Sequence, residues 1–295
     1  MKKIILGIYL SEDLAQVVAL EQDGSSNLLR AITEWPSTLF NYAGDDTPGV
    51  DEFVERMSAF LAAHNLKPQM VSVALDSSLL FINSVPVSQN ATRSDIDEQV
   101  EWELKTYFPD SPRDSFISDM HVLSGTGKVN NVMMVSARND LVQKLYRSLS
   151  RLRLGLDIVD VDHFSVDNAL RFNFPETSNK LIALIGLKRG RMDTSYIRYN
   201  DLEAYSYALY SLPEEAVAQI GKVSNDTKGL SSISIYGTHL SADSLGQIRN
   251  VSAVPVEALN PLRSVQLSSS VRANINSTFA SYRYCAAVGA ALRRD

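Results

Sequence analysis

A chain of 295 residues with 45% hydrophobic and 21% charged content has enough apolar material for a sizeable core, arranged as one or two domains. The formal net charge of −6 argues against a nucleic-acid binder, which needs a basic face to neutralise phosphates. The single cysteine, Cys285, allows no internal disulfide, and this fits a reducing compartment.

The chain opens on MKKIILGIYLSEDL, with two lysines before an apolar run in the manner of a secretion signal. The run is short, lacks a small-residue cleavage site and meets Glu12 and Asp13 at once, so a first β-strand over 3–10 is the better reading. Segments 15–20 and 28–34 continue as strands, which predicts an antiparallel meander. After a Gly/Asp/Pro-rich loop at 44–49, Phe53, Met57, Phe60 and Leu61 recur at helical spacing within 50–64, and 70–75 alternates as a strand.

Segment 76–137 changes character. It reads as a strand at 81–87, a helix over 94–107 with Ser94 and Asp97 spaced as a capping box, and strands at 116–123 and 131–137 joined by SGTGKVN. Ile96, Val100, Leu104 and Tyr107 form one apolar stripe on that helix, and Pro109 stops it. A helix over 138–154 ends at Gly155, its Arg138, Lys144, Arg147, Arg151 and Arg153 reading as a solvated face. A strand at 158–161 and a helix at 164–172 follow.

Beyond FPETSNK the pattern begins again. Strands at 181–187, 195–199 and 204–209 echo the opening meander about 180 residues on. A short helix at 213–220, a strand at 233–236, a helix at 241–248, an extended piece at 254–256 and a helix at 276–293 complete the chain. No apolar stretch of about 18 residues occurs, so no membrane-spanning helix is expected.

Four stretches carry a resemblance to the PilM family of actin-like proteins from type IV pilus assembly. They are LGIYLSEDLAQVVALE, VPVSQNATRSDIDEQVEWELKTYFP, LDIVDVDHFSVDNALR, and GTHLSADSLGQIRNVSAVPVEALNPLRSV followed by YCAAVGAALR. The second resembles an element peculiar to this family and its type II secretion relatives. The resemblance implies an α/β, two-lobed actin-like (ribonuclease H-like) ATPase fold. It places a first lobe at 1–75 plus 138–175, an inserted subdomain at 76–137 and a second lobe at 176–295. Segment 211–230 stands as a shortened remnant of a helical subdomain that normally walls the nucleotide cleft. Type II secretion relatives continue into a transmembrane helix, whereas this sequence closes at ALRRD.

The family's ATP site needs an Asp at the end of the first strand to order Mg²⁺, and Gly-rich turns that let backbone N–H groups approach phosphate. By resemblance, the Asp position holds Tyr9 and the Gly position Ser11, with Glu12 and Asp13 beyond; two carboxylates there would repel ATP. The second-lobe Asp-x-Gly stands as Gly186, Leu187, Lys188, and the adenosine-contacting Gly-Gly as Gly237, Thr238. A degenerate site at Ser11, Glu12, Lys188, Gly237 and Thr238, with no cofactor and no catalysis, is therefore expected; the alternative is an active Mg-ATP-binding ATPase or kinase of the same superfamily.

Other motifs read as structure. Gly125-Thr-Gly-Lys128 is a hairpin turn rather than a P-loop, being too short and flanked by strands. Asp160, Asp162, His163 and Asp167 lie at a strand-to-helix junction where Asp162 is a natural N-cap, and no second ligand cluster supports a metal. Asp97, Glu98, Glu101 and Glu103 read as a solvated face or an acidic docking strip, and the tyrosines at 196, 199, 205, 207 and 210 as a sheet face. The resemblance further implies a cytoplasmic scaffold, peripheral to the inner membrane, that holds the N-terminal peptide of a PilN-like inner-membrane protein. Its groove would lie beside the inserted subdomain, with Ile96, Val100, Glu101, Leu104 and Tyr107 as candidate contacts.

Overall fold

The computed structural model describes residues 2–24, 26–40, 47–123, 129–275 and 278–293. Three sheets organise it. In chain order the first part comprises β1 (Lys3–Leu10), β2 (Leu14–Asp23), β3 (Ser26–Pro36), α1 (Pro48–Ala63) and β4 (Met70–Leu75). The inserted part comprises β5 (Leu80–Ser88), α2 (Arg93–Tyr107), β6 (Phe116–Leu123) and β7 (Val129–Arg138). Next come α3 (Asn139–Arg151), β8 (Ile158–Val161) and α4 (Asp162–Asn173). The second half comprises β9 (Ile182–Lys188), β10 (Arg191–Arg198), β11 (Asp201–Leu209), α5 (Pro213–Asp226), β12 (Ser232–Tyr236), α6 (Ala242–Val251) and β13 (Val256–Ala258). The chain closes with β14 (Gln266–Leu267), α7 (Ser269–Asn274) and α8 (Cys285–Leu292).

The two meanders have the same plan. β1 pairs antiparallel with β2 and parallel with β4, and β9 pairs antiparallel with β10 and parallel with β12. Strands β1 and β9 are apolar on both faces because each is a central strand covered on both sides, the pattern of parallel-sheet interiors. On one side of the first sheet, Leu6, Ile8 and Leu10 meet Phe53 and Met57 of α1 and Leu145 and Leu149 of α3. On the other, Ile5 and Tyr9 share a core with Val166 and Leu170 of α4 and the whole of α8. Helix α1 starts where Thr47 accepts the Val50 amide and Pro48 supplies a preset φ.

Four expectations change. The capping box of α2 is Thr92 with Asp95, two residues before the Ser94–Asp97 pair, and Thr92 both accepts the Asp95 amide and donates to its carboxylate. Asp162 is the first residue of α4 rather than its N-cap, because its carboxylate is drawn across the molecule to another partner. The last helix covers only 285–292, after a 3₁₀ turn at 281–284. Finally, the segment after 265 does not stay with the second lobe. β14 pairs with β3, and the all-apolar α8 slides between β1 and α4. That approach requires glycine: a Cβ on Gly7 would stand 2.0 Å from the Ala287 carbonyl oxygen, and one on Gly289 1.9 Å from that of Ser165. The turn of SGTGKVN, including Gly125–Lys128, lies outside the described residues.

The inserted part is a three-stranded antiparallel sheet, ordered β5-β7-β6, with α2 on one face. Val85, Met134 and Met120 meet Val100 and Leu104 of α2 there. The opposite face, with Ile82 and Met133, packs on Val161 and Phe164 of the first lobe and on Leu202 and Tyr205 of the second.

Candidate functional site

The ends of β1, β4 and β9 converge on the cleft between the lobes. Of the sequence-predicted cleft residues, Lys188 lies deepest, only 4% exposed. Its ammonium stands 2.5 Å from an Asp162 oxygen, 2.7 Å from Asp193 Oδ2, 2.7 Å from Ser77 Oγ and 3.9 Å from Asp76 Oδ2. The Ser77 hydroxyl bonds to Asp193 at 2.7 Å, and the Ser77 amide donates to Asp162 at 2.9 Å. Tyr9 donates its hydroxyl to Asp76 at 2.6 Å. Arg191 and Tyr205 both donate to the second oxygen of Asp193, at 3.0 and 2.6 Å.

Each member pays its burial cost through the others. Burial alone would lower the Lys188 pKa, but the pull of Asp162, Asp76 and Asp193 outweighs it and holds the ammonium well above its usual range. Asp193 opposes burial through Lys188 and neighbouring cations and is held well below the carboxylate range. Asp162 carries the strain of three carboxylates around one ammonium: burial pushes it up to about 7 against the Lys188 attraction. His163, fully buried, is pushed down to about 3 by desolvation. Its ring nitrogens lie 2.8 Å from the Tyr236 hydroxyl and 2.7 Å from Ser195 Oγ, both on the second sheet.

The other predicted cleft residues do different work. Ser11 closes its own turn, accepting the Leu14 amide at 3.1 Å and donating to Asp13 at 3.0 Å. Glu12 is exposed beside it. Gly237 donates its amide to the Tyr282 carbonyl at 3.2 Å, and the Thr238 carbonyl accepts from Arg283 at 2.8 Å. What remains open among Ser11, Asp13, Lys188, Arg189 and Thr238 is a hollow of about 130 Å³. Ligand pockets ordinarily need about 300 Å³ or more. A side chain at Gly186 meets Tyr236: a Cβ there would be 2.6 Å from its hydroxyl oxygen. The carboxylates of Glu12, Asp13 and Asp76 line this hollow beside Lys188 and Arg189, an unfavourable setting for the phosphates of Mg-ATP.

Sequence reasoning missed Asp76, Ser77, Asp193, Tyr205 and Tyr236. The available signal was charge in strands that are otherwise apolar: Asp76 directly after β4, and Lys188 and Asp193 within β9 and β10.

A second hollow lies at the inserted sheet. It occupies about 320 Å³ between the outer edge of β8 and the sheet face opposite α2, lined by Ile117, Asp119, Met133, Val135, Val159 and Phe164. β8 ends its sheet, so among the described residues no strand pairs with that edge. Ile117 is 48% and Val159 36% exposed. At one end Arg293 holds Asp160 at 2.5 Å. The five candidate contacts on α2 are elsewhere. Val100, 6% exposed, and Leu104 fix the helix to its sheet; Ile96 is half-buried; Glu101 pairs with Lys105 at 3.3 Å. Tyr107, 56% exposed, packs against Phe81 with ring centroids 4.9 Å apart and the rings tilted by 50°. Near it, Phe81, Phe108 and Phe116 line a wider hollow of about 540 Å³ with Asp110 and Arg138.

Residues 16–203, more than half of the chain, match the family model for type IV pilus assembly protein PilM. No curated protein matches the sequence. Among solved structures, a PilM–PilN type IV pilus biogenesis complex is similar at TM-score 0.77 and 15% identity, over 98% of this chain and 97% of that one. A Bacteroides thetaiotaomicron protein with an actin-like ATPase fold is similar at TM-score 0.52 and 11% identity, over 91% and 92%. The ethanolamine utilization protein EutJ of Carboxydothermus hydrogenoformans follows at 0.50 and 9%, over 99% and 89%. The fold is that of the actin-like ATPases.

Proposed function

The chain belongs to the family of type IV pilus assembly protein PilM, and on that premise we propose that it is a scaffold holding an extended peptide of a PilN-like inner-membrane partner, without using Mg-ATP. The observation that carries this is the apolar hollow along the unpaired edge of β8. An extended peptide laid there gains main-chain hydrogen bonds from the edge, with pockets for alternate side chains. Four strand residues offer about 13 Å, room for a short motif rather than a domain. The similar structure described as a PilM–PilN complex supports a partner of that kind. Such a partner would keep the protein at the inner membrane, and no described helix is long and apolar enough to cross one.

Helix α2 supports the sheet from behind in this reading, and the groove moves from its face to the opposite side. Calorimetry with the N-terminal peptide of the PilN-like partner tests it. Ile117→Glu with Val159→Glu abolishes binding if the groove is the site, whereas a peptide seated in the wider hollow is lost on Phe108→Ala instead. The nucleotide half of the proposal is tested apart: a ligand of the native state raises stability with concentration, and Mg-ATP is expected to leave the melting temperature unchanged. A clear rise at sub-millimolar Mg-ATP would sink it.

A further inference from the structure

The ion cluster in the cleft is divided between the lobes. Asp162 belongs to the first, and Asp76 and Ser77 directly follow its strand β4, just ahead of the inserted sheet; Lys188, Arg191 and Asp193 belong to the second. Three of the four groups around the ammonium therefore lie across the lobe boundary, and the Ser77–Asp193 bond crosses it in the other direction. A second crossing stands deeper, where His163 of α4 reaches Ser195 and Tyr236. Buried ions seldom add stability over apolar packing, but removing one partner is severe, so such a cluster fixes one geometry rather than strengthening many. At the mouth, Arg189 and Asp13 meet at 3.3 Å, a solvated pair of little weight.

Two-lobed proteins commonly close around a ligand whose contacts reach both sides. Here the contacts reach both sides and the bridging cation is part of the chain. We propose that Lys188 is a tethered counter-ion that keeps the lobes closed permanently, taking the place of a bound ligand. The lobes are held by Lys188 whether or not a peptide occupies the β8 edge, so this stands apart from the groove.

The test reads the Ser77 amide, whose acceptor Asp162 is held by the ammonium. In Lys188→Met protein its hydrogen exchange accelerates about 100-fold and the melting temperature falls by about 10 °C. Ser77→Ala, which removes only the bridging hydroxyl, speeds the same amide about tenfold and serves if the first variant does not fold. In Lys188→Ala, propylammonium replaces the missing atoms through the adjoining hollow and restores both readings, while sodium chloride at equal ionic strength does not. An unchanged Ser77 amide in the folded variants overturns the proposal. So does a Lys188→Ala protein that sodium chloride restores as well as propylammonium.

Discussion

Phe164 separates two hollows of opposite character. One of its faces meets Tyr205 at 5.4 Å and His163 at 6.0 Å, within the network that fills the cleft; the side chain also lines the groove at β8. The cleft is small, polar and internally satisfied, with donors and acceptors consumed by one another. The groove is larger, apolar and bordered by a strand edge with no strand partner among the described residues. A site whose polar groups already have partners has nothing to offer a ligand without losing them. An apolar groove beside a free edge has surface to bury and backbone groups to pair.

The contrast can be broken at graded cost. Asp193→Leu removes the carboxylate that Lys188 and Arg191 share within the second lobe, and a loss of about 3–5 kcal/mol is expected in urea unfolding. Gly186→Ala drives a methyl group into Tyr236 and should cost about 1–3 kcal/mol by the same measurement. Neither belongs to the groove, so peptide affinity of the folded variants measures how far Phe164 transmits a disturbance.

Acidity sharpens the comparison. His163, pushed down to about 3 from 6.5, refuses in the folded state the proton that the unfolded chain takes up below pH 6.5. Its contribution is present above that pH and is lost on acidification towards pH 3. Asp162, raised to about 7, binds a proton in the folded state first and acts in the opposite direction. The slope is therefore read as a difference. Between pH 6 and 4 wild-type protein should lose about 1.4 kcal/mol per pH unit relative to His163→Gln.

The smallest effect belongs to the back of the inserted sheet. Trp102, 58% exposed on the outer face of α2, can become alanine with a stability change of about 0.5 kcal/mol or less and no change in peptide affinity. Lost peptide binding in that variant would return the docking surface to the helix.

The sequence made most elements legible because their signals are local. Period-two and period-3.6 apolar patterns placed β4 and β8 to the residue, whereas α1, read from 50, starts at Pro48 because Thr47 caps it. The cleft network was not legible for a physical reason. Asp76, Asp162, Lys188 and Asp193 come from separate elements: Asp76 and Asp162 meet because β4 pairs parallel with β8, far along the chain, and Lys188 reaches both only across the lobes. Asp162 was misread because a carboxylate at a helix start usually caps it, and here a buried ammonium is the stronger partner. The hollow at β8 was half legible. The inserted segment was identified, but amphipathicity alone does not say which face of a sheet a helix leaves bare.

The tyrosine over Gly186 also limits what that position can hold. An aspartate fits at 186 only if Tyr236 withdraws, and withdrawing Tyr236 leaves His163 without one of its two partners. A side chain at 186 meets the tyrosine, and a shorter residue at 236 takes a partner from His163, so each position sets what the other tolerates. The two residues act as a single unit of the cleft, and substitutions there are expected to be non-additive.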